Sequence, residues 1–222
     1  MSPVINLLAI ETSGKSCSIA VWIAEKRLED TRIVDRMHNE VLLEMLDKMF
    51  VDNNIAIEVI DAIAFGAGPG SFTGVRVGAA VAQSLALVAG ASIIPVPSSK
   101  ALLQVLRSEA SEVVTSIRSR RDKYYLSGYR REDDEWKVIY PDALFEKWPS
   151  QYFDSSWVCI GEKPLWEGEA PIPKFITTEP VNASHVGTVG LLEYRAGRGK
   201  TPAEGLPLYV SGDNPWTSLK QK

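Results

Sequence analysis

The residues best placed to do chemistry stand in two short stretches. One is FGAGPGSFTGVRVG, with glycine at 66, 68, 70, 74 and 78 around Pro69, Ser71 and Thr73. The other is ETSGKS, which begins at Glu11. A glycine-rich turn that leaves a strand and opens a helix presents free amides, and the helix dipole favours an anion there. Gly68, Gly70, Ser71 and Thr73 are therefore candidates for weak anion or nucleotide binding, and Glu11 is the acidic candidate beside them. The spacing matches neither common nucleotide motif. No lysine follows a glycine in the loop, as a P-loop requires. The pairs Gly66/Gly68 and Gly68/Gly70 are followed by Ser71 and Thr73 where a dinucleotide fingerprint has glycine. The same residues also read as a tight strand-to-helix turn, in which Pro69 fixes φ, glycines permit positive φ and Ser71 or Thr73 caps the helix. The spacing favours the turn over the phosphate cradle. For Glu11, a solvated strand-end carboxylate is the competing reading.

Other chemistry is sparse. His38 and His185 are the two histidines and form no H-x-x-x-H pair, so the sequence gives no histidine-based metal site. Cys17 and Cys159 are far apart and read as reduced, structural thiols. Arg118, Arg120, Arg121 and Lys123 precede Tyr124 and Tyr125. That run suits RNA phosphates or an acidic partner, and equally a solvated hairpin tip. The net charge of −4 argues against a strongly basic nucleic-acid binder. The apolar window Val75 to Gly90 contains Arg76, Gln83 and Ser84, short of a membrane span, and the first ten residues have no basic leader. A cytoplasmic protein without a membrane partner is expected.

These stretches must be held by regular elements. VINLLAIE (4–11) is a buried strand, CSIAVWIA (17–24) its hairpin mate, and 25–35 a more polar third strand at an edge. Residues 36–50 carry apolar side chains at 37, 41, 42, 45, 46, 49 and 50, one wide helical stripe. A strand over 59–65, a helix from Phe72 to Ala89 and a strand over 92–97 complete an α/β order. The second half predicts a helix over 98–110, strands over 112–130 and at EWKVIYPDALF, WVCIGE and KFITT, and a helix over 183–198. No internal repeat is visible. The prolines at 95 and 97 mark the boundary between an N-terminal unit, 1–97, and a C-terminal unit, 98–222, whose tail is free to pack back on the first.

The Phe72–Ala89 helix is apolar nearly all round. Gly74, Gly78, Ala82, Ala86 and Gly90 form a ridge with almost no side chain, and Val77, Val81, Leu85 and Val88 form a second apolar face. Each interior glycine costs about 1 kcal/mol against alanine, so the ridge reports a packing need. One face covers the sheet. The 36–50 helix, a partner chain or both must cover the other.

LLAIETSGKSCSIAVW (7–22) together with FGAGPGSFTGVRVGAAVAQSLAL (65–87) resembles the bacterial TsaB family, also called YeaZ. The resemblance is strong over about 5–97, weaker beyond, and returns in PLYV and NPW (207–216). It implies the actin-like, sugar-kinase-like (ASKHA) α/β fold of two related subdomains. It implies a non-catalytic accessory subunit for threonylcarbamoylation of adenosine next to the tRNA anticodon. The implied partners are a TsaD-type paralogue, a TsaE-type ATPase and, through that complex, tRNA, with a homodimer open to the chain alone. No cofactor is implied in this chain: ATP and a metal act in the partner subunits. Pairing would run through the 36–50 and Phe72–Ala89 helices, which gives His38, Leu42, Met45, Met49, Gly74, Val77, Gly78, Val81 and Leu85 as partner-binding residues. The sequence departs from the family at Glu11, commonly aspartate, and at Ile117–Arg121, usually closer to I-D-A-R. The latter weakens the alternative of an actin-fold ATPase; a peptidase-like enzyme is the other alternative.

Overall fold

In a computed structural model of the chain, the residues described are 4–24, 26–34, 38–106, 109–120, 122–133, 135–166 and 173–210. The chain divides into two compact units, Met1–Gln104 with Val181–Leu208, and Val105–Pro180 with Tyr209–Lys222. The first division therefore falls after Gln104 rather than at 97, and the segment from Val181 belongs to the first unit.

The first unit is built on β1 (Leu7–Glu11), β2 (Ser16–Ile23), β3 (Lys26–Ile33), β4 (Ala62–Gly68) and β5 (Ser92–Pro97), in the order β3-β2-β1-β4-β5. β1 runs antiparallel to β2 and parallel to β4, so each strand of the hairpin and crossover is read from its neighbour. Alternation along β1 sorts the core. Leu8 and Ile10 face α1 (His38–Asp52) and α2 (Phe72–Ala89), with Ile63 and Phe65 from β4. Leu7 and Ala9 face the opposite side, where α4 (Ala183–Arg195) packs over Ala20, Ala62 and Ala64. The alanines on that side let α4 come close. A Cβ at Gly190 would lie 2.6 Å from that of Ala64. Asn182 caps α4 by accepting from the Ser184 and His185 amides, while His185 Nδ1 accepts the Asn182 amide at 3.1 Å. α2 is the crossover between the parallel strands β4 and β5. It is long and apolar enough to cross a membrane by length and composition, yet its small face lies on the sheet.

The second unit holds β6 (Glu112–Arg118), β7 (Tyr124–Glu132), β8 (Glu135–Phe145), β9 (Val158–Gly161) and β10 (Lys174–Thr177), in the order β10-β9-β6-β7-β8. β6 pairs antiparallel with β7 and parallel with β9, β7 pairs antiparallel with β8, and β9 pairs parallel with β10. That is the topology of the first sheet repeated strand for strand, a repeat the sequence conceals. An aromatic cluster of Tyr124, Phe145, Trp148, Tyr152, Phe153 and Trp157 forms its core. The helix expected over 98–110 is shorter: α3 spans Ser98–Leu102 and one further turn of 3₁₀ helix ends at Val105.

Candidate functional site

The glycine loop and the ETS segment meet. Strand β4 extends through Gly66 and Ala67 to Gly68, further than 59–65, because these small residues pass against the end of β1. A Cβ at Gly66 would lie 1.9 Å from Glu11 Oε2, and one at Gly70 2.7 Å from the Ser13 carbonyl oxygen. One at Gly74 would lie 1.9 Å from the Thr12 carbonyl oxygen, and one at Gly78 2.6 Å from Thr12 Oγ1. No real Cβ sits that close to another atom, so these glycines exist to clasp residues 11–13 of the same chain.

Hydrogen bonds complete the clasp. The Ser71 amide donates to the Ser13 carbonyl at 2.8 Å. Ser71 Oγ caps α2 by accepting from the Gly74 amide at 3.3 Å, as the sequence allowed. Thr12 Oγ1 donates to the Gly74 carbonyl at 2.8 Å in a buried position, and the Ser13 and Ser98 hydroxyls meet at 3.2 Å. The Leu208 amide reaches the Ala67 carbonyl at 2.8 Å, where the β4–β5 register shifts. Thr73 is exposed in the first turn of α2. The first amide of the would-be anion cradle thus already holds the Ser13 carbonyl.

Glu11 is not in water. It is 1% exposed, its Oε1 accepts from the Ser13 amide at 2.5 Å, and its Oε2 has no hydrogen-bond partner among the described residues. Burial pushes its pKa above the usual carboxylate value, against the hydrogen bonds from Ser13 and Thr12 that pull it down. Its Oε2 is packed against Gly66, where a Cβ would lie 1.9 Å away. Among the described residues, no three His, Cys, Asp or Glu side chains gather as a metal site.

The expected partner-binding residues separate into two groups. Leu42, Met45 and Met49 are buried in the chain's own core, and Gly74 and Gly78 face Thr12. The small ridge of α2 therefore serves an internal approach, which corrects the assignment of these five to a surface. Val77, Val81 and Leu85 are half-buried and pack against the core. The side chain of His38, at the start of α1, lies outside the described residues. Val88, on the second apolar face read from the sequence, is 66% exposed, whereas periodicity missed the exposed Leu87 (74%), Val51 (69%) and Leu43 (57%). Between α1 and α2 runs a groove lined by Leu46, Phe50, Ile55, Ile57, Leu85 and Val88.

The basic run forms the β6–β7 turn. Arg118 and Arg120 are exposed, Lys123 pairs with Glu146, and the Arg118 amide donates to Glu162 at 3.3 Å. Arg121 lies outside the described residues, as does the NPW of the tail.

A family model described as TsaD: tRNA N6-adenosine threonylcarbamoyltransferase matches residues 24–146. The tRNA threonylcarbamoyladenosine biosynthesis protein TsaB of Escherichia coli K12 is 30% identical over 165 residues, covering 70% of this chain and 71% of that protein. The chain belongs to the TsaB family. The TsaB of Haemophilus influenzae is 37% identical over 163 residues, 72% of this chain and 66% of that protein. Among solved structures, YeaZ from Pseudomonas aeruginosa matches with TM-score 0.76 and 25% identity, over 93% of this chain and all (100%) of that one. A second structure, described as an uncharacterized protein with similarity to peptidase YeaZ, matches over the same shares with TM-score 0.77 and 25% identity. The two-subdomain, actin-like α/β fold expected of a TsaB-family member is the fold observed.

Proposed function

We propose that this chain acts in tRNA threonylcarbamoyladenosine biosynthesis as a non-catalytic accessory subunit. In this reading it pairs with a TsaD-type paralogue through the outward faces of α1 and α2, in a cytoplasmic complex that a TsaE-type ATPase and tRNA join. The chain carries no cofactor of its own; ATP and a metal act in the partners. Its family membership gives the process. The observation that carries the accessory role is the apolar face of Leu43, Val51, Leu87 and Val88 beside the α1–α2 groove. The clasped glycine loop supports it, since the Ser71 amide is already taken by the Ser13 carbonyl and Gly66 packs on the Glu11 carboxyl.

The test is a reconstituted modification assay containing a threonylcarbamoyl-adenylate synthase, the TsaD-type paralogue, the TsaE-type ATPase, threonine, bicarbonate, ATP and tRNA. Modification should require this chain, and the chain alone should hydrolyse neither ATP nor peptide. Equal modification without it overturns the reading.

A further inference from the structure

We propose that Thr12 is a positioning residue for the partner-binding face of α2. The inference rests on the pairing reading above. The inward side of α2 carries Gly74, Gly78, Ala82 and Ala86, all buried, so no flexible side chain takes up slack between helix and sheet. Where the helix starts, Gly74 and Gly78 both rest on Thr12. The Thr12 carbonyl lies where the Gly74 Cβ would be, and its hydroxyl lies where the Gly78 Cβ would be. The same hydroxyl donates to the Gly74 carbonyl at 2.8 Å. In an α-helix that carbonyl also receives the Gly78 amide, so the bond fixes the first full turn of the helix to the end of β1. A close-packed interface transmits a small shift at one end to the whole rod. The flank of that rod beside the ridge carries Val77, Val81 and Leu85, packed against the core, and Val88, and Leu85 and Val88 form one wall of the groove whose other wall is Leu46 and Phe50 of α1.

Thr12 touches no partner in this arrangement. It acts by holding a helix whose groove-lining flank does. The experiment compares the full-length chain with Thr12→Val, Thr12→Ser and Gly78→Ala. Thr12→Val removes the hydroxyl, and Gly78→Ala pushes against it from the helix side. Two readouts are taken at a temperature where circular dichroism shows every variant folded: affinity for the TsaD-type paralogue by titration calorimetry, and hydrogen exchange of the α2 amides in the free chain. Thr12→Val and Gly78→Ala should each weaken pairing about fivefold to tenfold, the factor that one buried hydrogen bond carries. Both should speed exchange as far along α2 as Val81–Val88, and Thr12→Ser should restore both readouts. Unchanged affinity with exchange altered only in the first turn overturns the proposal, as does failure of serine to rescue. If the wild-type chain does not bind the paralogue, the pairing reading fails, and exchange at Val81–Val88 alone decides whether Thr12 positions the helix.

Discussion

Gly74→Ala tests the clasp most directly. Alanine is the better helix former by about 1 kcal/mol, so propensity alone makes this a stabilising change. The structure reverses the sign. The new Cβ would sit 1.9 Å from the Thr12 carbonyl oxygen, and both are tied to backbone, so no rotamer change relieves the contact. Either the first turn of α2 or the loop after β1 must move by more than an ångström. Overpacking of this kind costs about 1–3 kcal/mol. The movement also strains the Thr12 hydroxyl bond to the Gly74 carbonyl, worth roughly 1 kcal/mol. Against the propensity gain, the net loss is about 1–3 kcal/mol, or a fall in Tm of roughly 2–10 °C for a unit of this size. Urea and thermal unfolding followed by circular dichroism measure it, with Gly14→Ala as the control, because a Cβ there meets nothing within 4 Å. A Gly74→Ala protein as stable as wild type, or more so, refutes the argument that these glycines exist for close approach.

Leu87→Asp with Val88→Arg should abolish pairing with the paralogue while shifting stability by no more than about 0.5 kcal/mol, as surface changes do; co-elution of the variant with the partner would count against the interface. Gly78→Trp should fail in a different way, as an insoluble or unfolded chain, because its side chain would enter the space of Thr12 Oγ1 rather than reach the surface; a folded, soluble protein by circular dichroism would contradict the burial. Glu11 gives a pH dependence with a definite sign. Its folded pKa is raised from 4.5, so the folded chain binds the extra proton, and stability falls as pH rises from about 4.5 through the folded value. Glu11→Gln keeps an acceptor for the Ser13 amide and should flatten that slope, leaving the variant at least as stable as wild type at neutral pH; parallel slopes in denaturation series across pH would show that Glu11 is not the group responsible. Replacing Lys123 by alanine should cost under about 1 kcal/mol, since its pair with Glu146 is exposed on both sides.

The sequence by itself determined the first sheet, both of its long helices and the family. Runs of branched apolar residues at 4–11 and 59–65, an apolar stripe at helical spacing over 36–50 and the GPGSFTGVR turn are local signals, written in neighbouring residues. The second unit was legible as strands, but not as a repeat of the first. A repeat of topology needs only strands in the same order, and Val113–Ile117 shares no spacing with Leu7–Glu11 that composition exposes. The destination of α4 was also hidden. Gly187 and Gly190 are its signal, yet a small residue on a helix states only that something comes close, here Trp22 and Ala64 from a sheet far earlier in the chain.

The same ambiguity governs the candidate site. Sequence showed that α2 is apolar nearly all round and that one side is almost bare of side chains. Tertiary structure decided which side faces inward. The bare ridge could have met a partner's backbone or the chain's own, and periodicity is identical in the two cases. Placing Thr12 within reach of Gly74 and Gly78 turned the ridge inward, packing of α1 on the same core buried its Leu42, Met45 and Met49, and Leu43, Val51, Leu87 and Val88 stayed outside. Amphipathic pattern is a property of one helix. The choice of what covers each face belongs to contacts between residues sixty positions apart, and those exist only once the sheet has formed.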